Sequence, residues 1–351
     1  MPDIAFFDGH NDTLLKLWTS NAAETERPFL DGMPSAHIDL PRAKAGGMAG
    51  GIFAIFPPPL KGGDTTNNMV GQNYDLSLPP PLSLEAAQAA TNAMASILFR
   101  IERASKGAVT ICRDVASIRA AIENGTFATV LHIEGAEAID PDLQALDVLY
   151  AAGLRSLGLV WSRPNAFGVG VPFRFPSDPE IGPGLTDAGK ALVRACGQLG
   201  VMVDMSHLNA AGFRDVAAIS NKPLVATHSN VHAITPHARN LMDWQFAAIR
   251  ESGGVVGLNF ATCFLRPDGQ MRADCEIEVM VRHIDGLVEA LGEDGVALGS
   301  DFDGAVVPAP IKDVTGVQAL LGALLAKGYG EELVRKIALG NWLSVLERTI
   351  G

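Results

Sequence analysis

Basic residues are in short supply: 27 lysines and arginines stand against 39 aspartates and glutamates, a formal charge of −12 over 351 residues. That balance disfavours attraction to phosphate backbones or anionic lipid, so nucleic acid and the membrane surface are set aside as partners. Long uncharged apolar runs are also missing, and none reaches bilayer-spanning length. No basic stretch leading into an apolar one follows Met1-Pro2-Asp3, and the expected location is the cytoplasm. Cysteine is sparse. Cys112, Cys196, Cys263 and Cys275 are scattered without C-x-x-C spacing and read as free thiols, neither a disulfide framework nor a zinc cluster. Repeats and low-complexity tracts are absent. No glycine-rich phosphate loop follows the first apolar run, which counts against an open doubly wound sheet.

What the chain does have is apolar material, 48% of its residues, dealt out in short runs that alternate with longer helical patterns. Strand-like runs occur at 4–8, 51–56, 128–133, 156–161, 201–206, 224–227, 255–260 and 296–300. Helical periodicity marks 83–104, opened by the N-cap residue Ser83, then 115–124, 143–152, 187–199, 210–219, 244–251 and 277–291. A loop and short helix fit 33–45, and helices at 317–327 and 331–348 look like closing elements packed outside. Eight βα units predict one (β/α)8 TIM-type barrel over residues 1–351, with an irregular excursion near 57–81, rich in Pro, Gly and Asn, lying over its mouth.

A barrel demands its chemistry at the C-terminal ends of the strands. The first run ends in Asp8-Gly9-His10-Asn11-Asp12, where His10 and Asp12, two residues apart, project to the same side and offer an imidazole nitrogen beside a carboxylate oxygen. The third ends His132-Ile133-Glu134-Gly135, the fifth Asp204-Met205-Ser206-His207, the sixth Thr227-His228-Ser229-Asn230 and the eighth Ser300-Asp301-Phe302-Asp303-Gly304. Any one of these alone reads as a helix cap or a satisfied loop contact. Five at matching positions read as a metal-binding catalytic rim.

In that order, across nearly the whole chain, these motifs resemble the membrane (renal) dipeptidase family, peptidase family M19, of binuclear zinc peptidases related to the amidohydrolases; the match is to a bacterial-type member. The resemblance implies two Zn2+ per chain, one held by His10 and Asp12, the other by His207 and His228, with Glu134 bridging. It implies that Asp301 is the acid/base, and that Arg239, in Pro236-His237-Ala238-Arg239-Asn240, binds the substrate carboxylate. The implied substrates are small dipeptides, including ones with a D-residue at the C-terminal side. One position departs from the family. Where a histidine commonly contacts the scissile carbonyl, this chain has Trp161, which can donate one N–H but cannot become a cation. Trp161 is kept as a substrate contact, and the substrate range stays open. The other readings are an amidohydrolase acting on N-acyl amino acids or lactones, and a metal- or peptide-binding barrel without turnover. A homodimer is admitted.

Of the remaining polar residues, His132 points to the same side as Glu134 and reads as a hydrogen-bonded interior residue. Asp204 is expected to orient a ligand imidazole. His232 and His237 share the loop of Arg239, where a cleft-lining and a solvated role weigh equally. His37 and His283 read as surface or helix-face residues, and Asp303 as a brace for the loop of Asp301 through backbone N–H contacts.

Overall fold

The eight apolar runs become eight parallel strands in chain order: β1 (Phe6–Asn11), β2 (Met48–Ile55), β3 (Phe127–Glu134), β4 (Leu154–Gly158), β5 (Met202–Asp204), β6 (Val225–Ala226), β7 (Val255–Leu258) and β8 (Val296–Leu298). The computed structural model describes residues 4–20, 22–59 and 69–351. Each strand pairs with the next, and β1 meets β8 through a parallel bridge between Asn11 and Phe302, where Asp12 N–H donates to Phe302 O at 2.8 Å. The sheet thereby curls into a (β/α)8 barrel. Among the described residues no helix is long and apolar enough to cross a membrane.

Alternation along the strands sorts side chains between two cores. On β3, Leu131 and Ile133 pack into the larger cluster under the surrounding helices. Val130 belongs instead to a second cluster with Phe7, Ile52, Met202, Val255 and Ala297, which the last helix covers with Trp342, Val345 and Leu346. His132 and Glu134, in step with Val130, continue the same face toward the C-terminal rim. One strand face thus passes from an apolar floor to a polar mouth.

Helices follow the sequence pattern. Leu84–Ala104 begins where the Ser83 hydroxyl accepts from Ala86 N–H, and it buries Ala87, Ala90, Met94, Leu98 and Ile101 at three- and four-residue spacing. The expected closing helix at 331–348 is broken. Glu331–Arg335 is followed by a π turn, Lys336–Gly340, before Asn341–Thr349 resumes. The wider turn re-aims Asn341, whose amide reaches Glu293 O and Val296 O, and Trp342, whose Nε1–H reaches Leu298 O at 2.8 Å. Gly9 is the counterpart: a Cβ there would lie 2.1 Å from Trp342 Cζ2. Unbroken apolar periodicity hid the defect. The final helix is accordingly no outer layer only, since it seals the floor of the barrel.

Part of the 57–81 excursion, residues 60–68, lies outside the described residues. From the rest comes Tyr74–Asp75, which pairs antiparallel with Arg174–Phe175 from the long loop after β4. Two-residue strands leave too little alternation to read in advance. A further short strand, Val109–Ile111, pairs with β3.

Candidate active site

β1 runs further than expected and carries His10 inside its last turn of pleat, with a register shift between Asp8 and Asn11 that re-aims the strand end. Asp8 braces it. Its carboxylate accepts from Ser300 N at 2.7 Å, Ser300 Oγ at 2.9 Å and Asn11 Nδ2 at 3.1 Å, and burial pushes its pKa up to about 6 against the pull of those bonds. Since Asp301 N–H also donates to His10 O at 3.0 Å, β1 and β8 present His10 and Asp301 as one unit.

Glu134, at the end of β3, is where the cluster converges. Its Oε1 lies 2.9 Å from His207 Nε2, 3.4 Å from His228 Nε2 and 3.7 Å from His10 Nε2, and His10 Nε2 is 3.8 Å from Asp12 Oδ2. His207 Nε2 and His228 Nε2 face one another at 3.1 Å. All five residues are buried. Burial raises Glu134 well above the usual carboxylate range. Burial pulls His10 down, but the Glu134, Asp12 and Asp301 carboxylates outweigh it and push its pKa up to about 10, a negative field that favours a cation at that ring, whether a proton or a metal that displaces it. His207 and His228 are held well below the usual value by burial and by neighbouring positive charge from Arg239 and His10, which keeps them in the neutral, ligating form.

This arrangement fits divalent metal. Both ring nitrogens of His10 and Oδ1 of Asp12 are buried without a hydrogen-bond partner among the described residues, a costly state for groups whose alternative is coordination. Ligand atoms of His10, Glu134 and His228 lie within 4.8 Å of one another, as do those of His10, Asp12 and Asp301. The outer contacts point the same way. Ser162 Oγ meets His207 Nδ1 at 3.1 Å, and Thr227 Oγ1 meets His228 Nδ1 at 2.8 Å while donating to Asp204 Oδ2 at 2.6 Å. Asp204 is itself held by Thr227 N–H and Ser206 N–H. Burial pushes its pKa up, but His132 and these hydrogen bonds prevail and lower it, so it serves as the ionised anchor beneath the imidazoles.

Asp301 sits at φ 58° and His207 at φ 67°, left-handed backbone that costs a non-glycine residue roughly 1–2 kcal/mol. Gly304 lets the loop close on them: a Cβ there would lie 2.1 Å from Asp12 Oδ2 and 2.7 Å from Asp301 Oδ1. Burial and the Asp12 carboxylate raise the Asp301 pKa. Its Oδ2 accepts from Asn259 Nδ2 at 3.0 Å, and the amide is oriented because Asn259 Oδ1 accepts from Ala261 N–H at 2.6 Å. Asn259 follows β7. The strand-end rule that found the other groups covers it, but a neutral amide there carries no acid, base or ligand signal. Asn259→Ala is expected to lower kcat about 10-fold, the cost of one hydrogen bond to a charged group, with bound metal unchanged by elemental analysis. Wild-type turnover in that variant assigns Asn259 to packing alone.

Arg239 is 2% exposed. Its guanidinium donates to His228 O at 2.9 Å and Ser229 Oγ at 3.4 Å, lies 5.2 Å from the Phe264 ring, and has an Nε–H without a partner among the described residues. Trp161 is half-buried, with its ring 6.1 Å from that of His207.

Three sequence expectations need correction or refinement. His283 is on a helix, Ile277–Leu291, but on its buried face, accepting from Val231 N–H and bonding Leu265 O, and His37 is only half-exposed, its Nδ1 accepting from Asp303 N–H at 2.8 Å. His237 is neither solvated nor cleft-lining; it is fully buried among Phe175, Phe264 and Tyr74, and its Nδ1 accepts from Arg239 N–H. Asp303 braces a different segment from the one expected, accepting from His37 N–H at 2.7 Å and Thr13 Oγ1 at 3.4 Å. His132 is interior as expected, with Nδ1 on Ser156 Oγ at 2.8 Å, and His232 bonds Ser177 O.

Comparison with known proteins agrees with this geometry. The sequence profile of a family described as Membrane dipeptidase (Peptidase family M19) matches residues 1–350. The chain is 46% identical over 252 residues to an uncharacterized protein in the pqqA 5′ region of Klebsiella pneumoniae, covering 72% of this chain and 93% of that one. Its fold superposes with a TM-score of 0.97 on the crystal structure of dipeptidase AC, a metallopeptidase of family M19, at 52% identity and 99% coverage of both chains. A metallopeptidase from Rhodobacter sphaeroides, crystallised with a phosphinate mimic of the dipeptide L-Ala-D-Ala, gives a TM-score of 0.95 at 50% identity, again over 99% of both chains.

Proposed function

Because the chain belongs to the membrane dipeptidase family, peptidase family M19, and is a metal-dependent dipeptidase, we propose that its site holds two zinc ions per chain and splits dipeptides whose C-terminal residue can be of D configuration. The observation that carries this is Glu134 Oε1, which three imidazole Nε2 atoms approach within 2.9, 3.4 and 3.7 Å. One carboxylate serving two flanking ligand pairs is what a bridge requires. His10 and Asp12 would hold one ion, and His207 and His228 the other. Bound there, the ions would supply Lewis acidity to the peptide carbonyl and acidify the attacking water.

The protein's own groups do the rest. Asp301, oriented by Asn259 and raised in pKa by burial, takes the proton of the water and delivers it to the leaving amine. Arg239 grips the free C-terminal carboxylate and sets register, so that the one peptide bond of the substrate lies over Glu134 and the imidazoles. Trp161 lines the same mouth beside His207. The D-residue reading draws on the L-Ala-D-Ala mimic held by the Rhodobacter sphaeroides relative.

Elemental analysis tests the metal count. Zinc-reconstituted protein is expected to hold two ions per chain, and Glu134→Gln to lose more zinc than His228→Ala, because it weakens both sites at once. A single tight ion in the reconstituted parent removes Glu134 from the bridging role.

A further inference from the structure

We propose that Trp161, Phe56 and Phe173 wall a subsite for the side chain of the substrate's amino-terminal residue, one that favours bulky apolar and aromatic side chains; the proposal rests on the dipeptidase reading above. Trp161 lies just beyond β4 and Phe56 just beyond β2, with ring centroids 4.9 Å apart, and Phe173 closes the group at 5.2 Å from Trp161. In a barrel whose eight strands pair in chain order, β2 stands opposite β6, whose following loop carries Arg239. A dipeptide held by its carboxylate at Arg239, with its carbonyl at the Glu134 cluster, therefore runs its amino-terminal residue toward β2 and β4. The Trp161 ring is 6.1 Å from that of His207, and the amino-terminal side chain branches from the Cα bonded directly to the scissile carbonyl carbon, so a carbonyl held at the cluster brings that side chain to the indole.

The wall is held from behind. Arg163 is fully buried, with Nε on Glu137 Oε1 at 2.8 Å and Nη2 on Pro57 O at 2.6 Å, and its guanidinium lies 5.4 Å from both the Phe56 and the Trp161 ring. One side chain thereby ties together the segments that leave β2, β3 and β4, and stacks its cation under two of the three rings. Glu137 neutralises that cation, so the face of Trp161 left open beside the buried Phe56 and Phe173 selects by apolar area and not by charge. Pre-fixed rings need no ordering when substrate arrives, which turns contact area into discrimination. The indole in place of an ionisable ring thus reads as a specificity element.

The test is kcat/KM on metal-loaded enzyme for dipeptides with amino-terminal Gly, Ala, Leu or Phe and a fixed carboxyl-terminal D-Ala or L-Ala. The parent is expected to prefer Leu and Phe over Gly by about 10- to 100-fold. Trp161→Ala is expected to compress that ratio to a few-fold and Trp161→Phe to keep most of it, which separates loss of the wall from loss of fold. A variant in which all four substrates fall by the same factor, with the ratio intact, places the indole on the peptide carbonyl and overturns the subsite. A parent with no amino-terminal preference overturns it too. Failure of the metal-loaded parent to cleave any dipeptide is a different result, since it removes the dipeptidase reading and the subsite with it.

Discussion

Asp301→Asn is expected to lower kcat by about 10²–10⁴, the range that a positioned general acid/base contributes. The substitution keeps the shape of the side chain and its contact with Asn259 while removing the proton acceptor. Zinc content is the accompanying readout. Asp301 shares a 4.8 Å cluster with His10 and Asp12, so it has the position of a ligand as well as that of a base. If it is the base, turnover collapses and both ions stay. If the variant loses metal in proportion to activity, Asp301 belongs to the ligand set. If turnover is unchanged, the base lies elsewhere. Asp303 is poorly placed to substitute, because its carboxylate is committed to His37 N–H and Thr13 Oγ1.

The barrel was legible because parallel strands buried on both faces read as apolar runs, and all eight occur where those runs are. Gathering of the strand ends was legible too: His10, Asp12, Glu134, His207 and His228 stand together as the rim rule demands. Groups that support others were not. Ser162, Asn259 and the Asp8–Ser300 brace carry roles only through partners 45, 42 and 292 positions away, and nothing local in an Asn or Ser announces such a partner. His37 and His283 were legible only in part. Each sits in a polar or amphipathic stretch that reads as solvated, yet the fold uses both imidazoles to satisfy buried backbone N–H groups. The π turn at Lys336–Gly340 escaped because hydrophobic period reports which residues face inward and cannot count an extra residue in a turn.

Arg239→Met is expected to lower kcat/KM for dipeptides by about 2–4 kcal/mol, roughly 30- to 1000-fold, the loss of a charged hydrogen-bonded pair in a desolvated site. The guanidinium is buried, is fixed on His228 O, and has an Nε–H without a partner among the described residues. A free carboxylate distinguishes a dipeptide from an internal peptide bond, and a planar fork can take it with two parallel bonds. Because Arg239 hangs from the carbonyl of His228, which is itself placed to hold metal, its grip fixes the distance between the carboxylate and the reacting carbonyl. Part of the binding energy therefore appears as orientation, and kcat should fall along with a rise in KM. Amidating the C-terminus makes the prediction specific. The parent should handle the amidated dipeptide poorly, and Arg239→Met should barely distinguish it from the free acid. A parent that hydrolyses both forms equally well does not use Arg239 as a carboxylate anchor. Discrimination that survives in Arg239→Met moves the anchor to another residue.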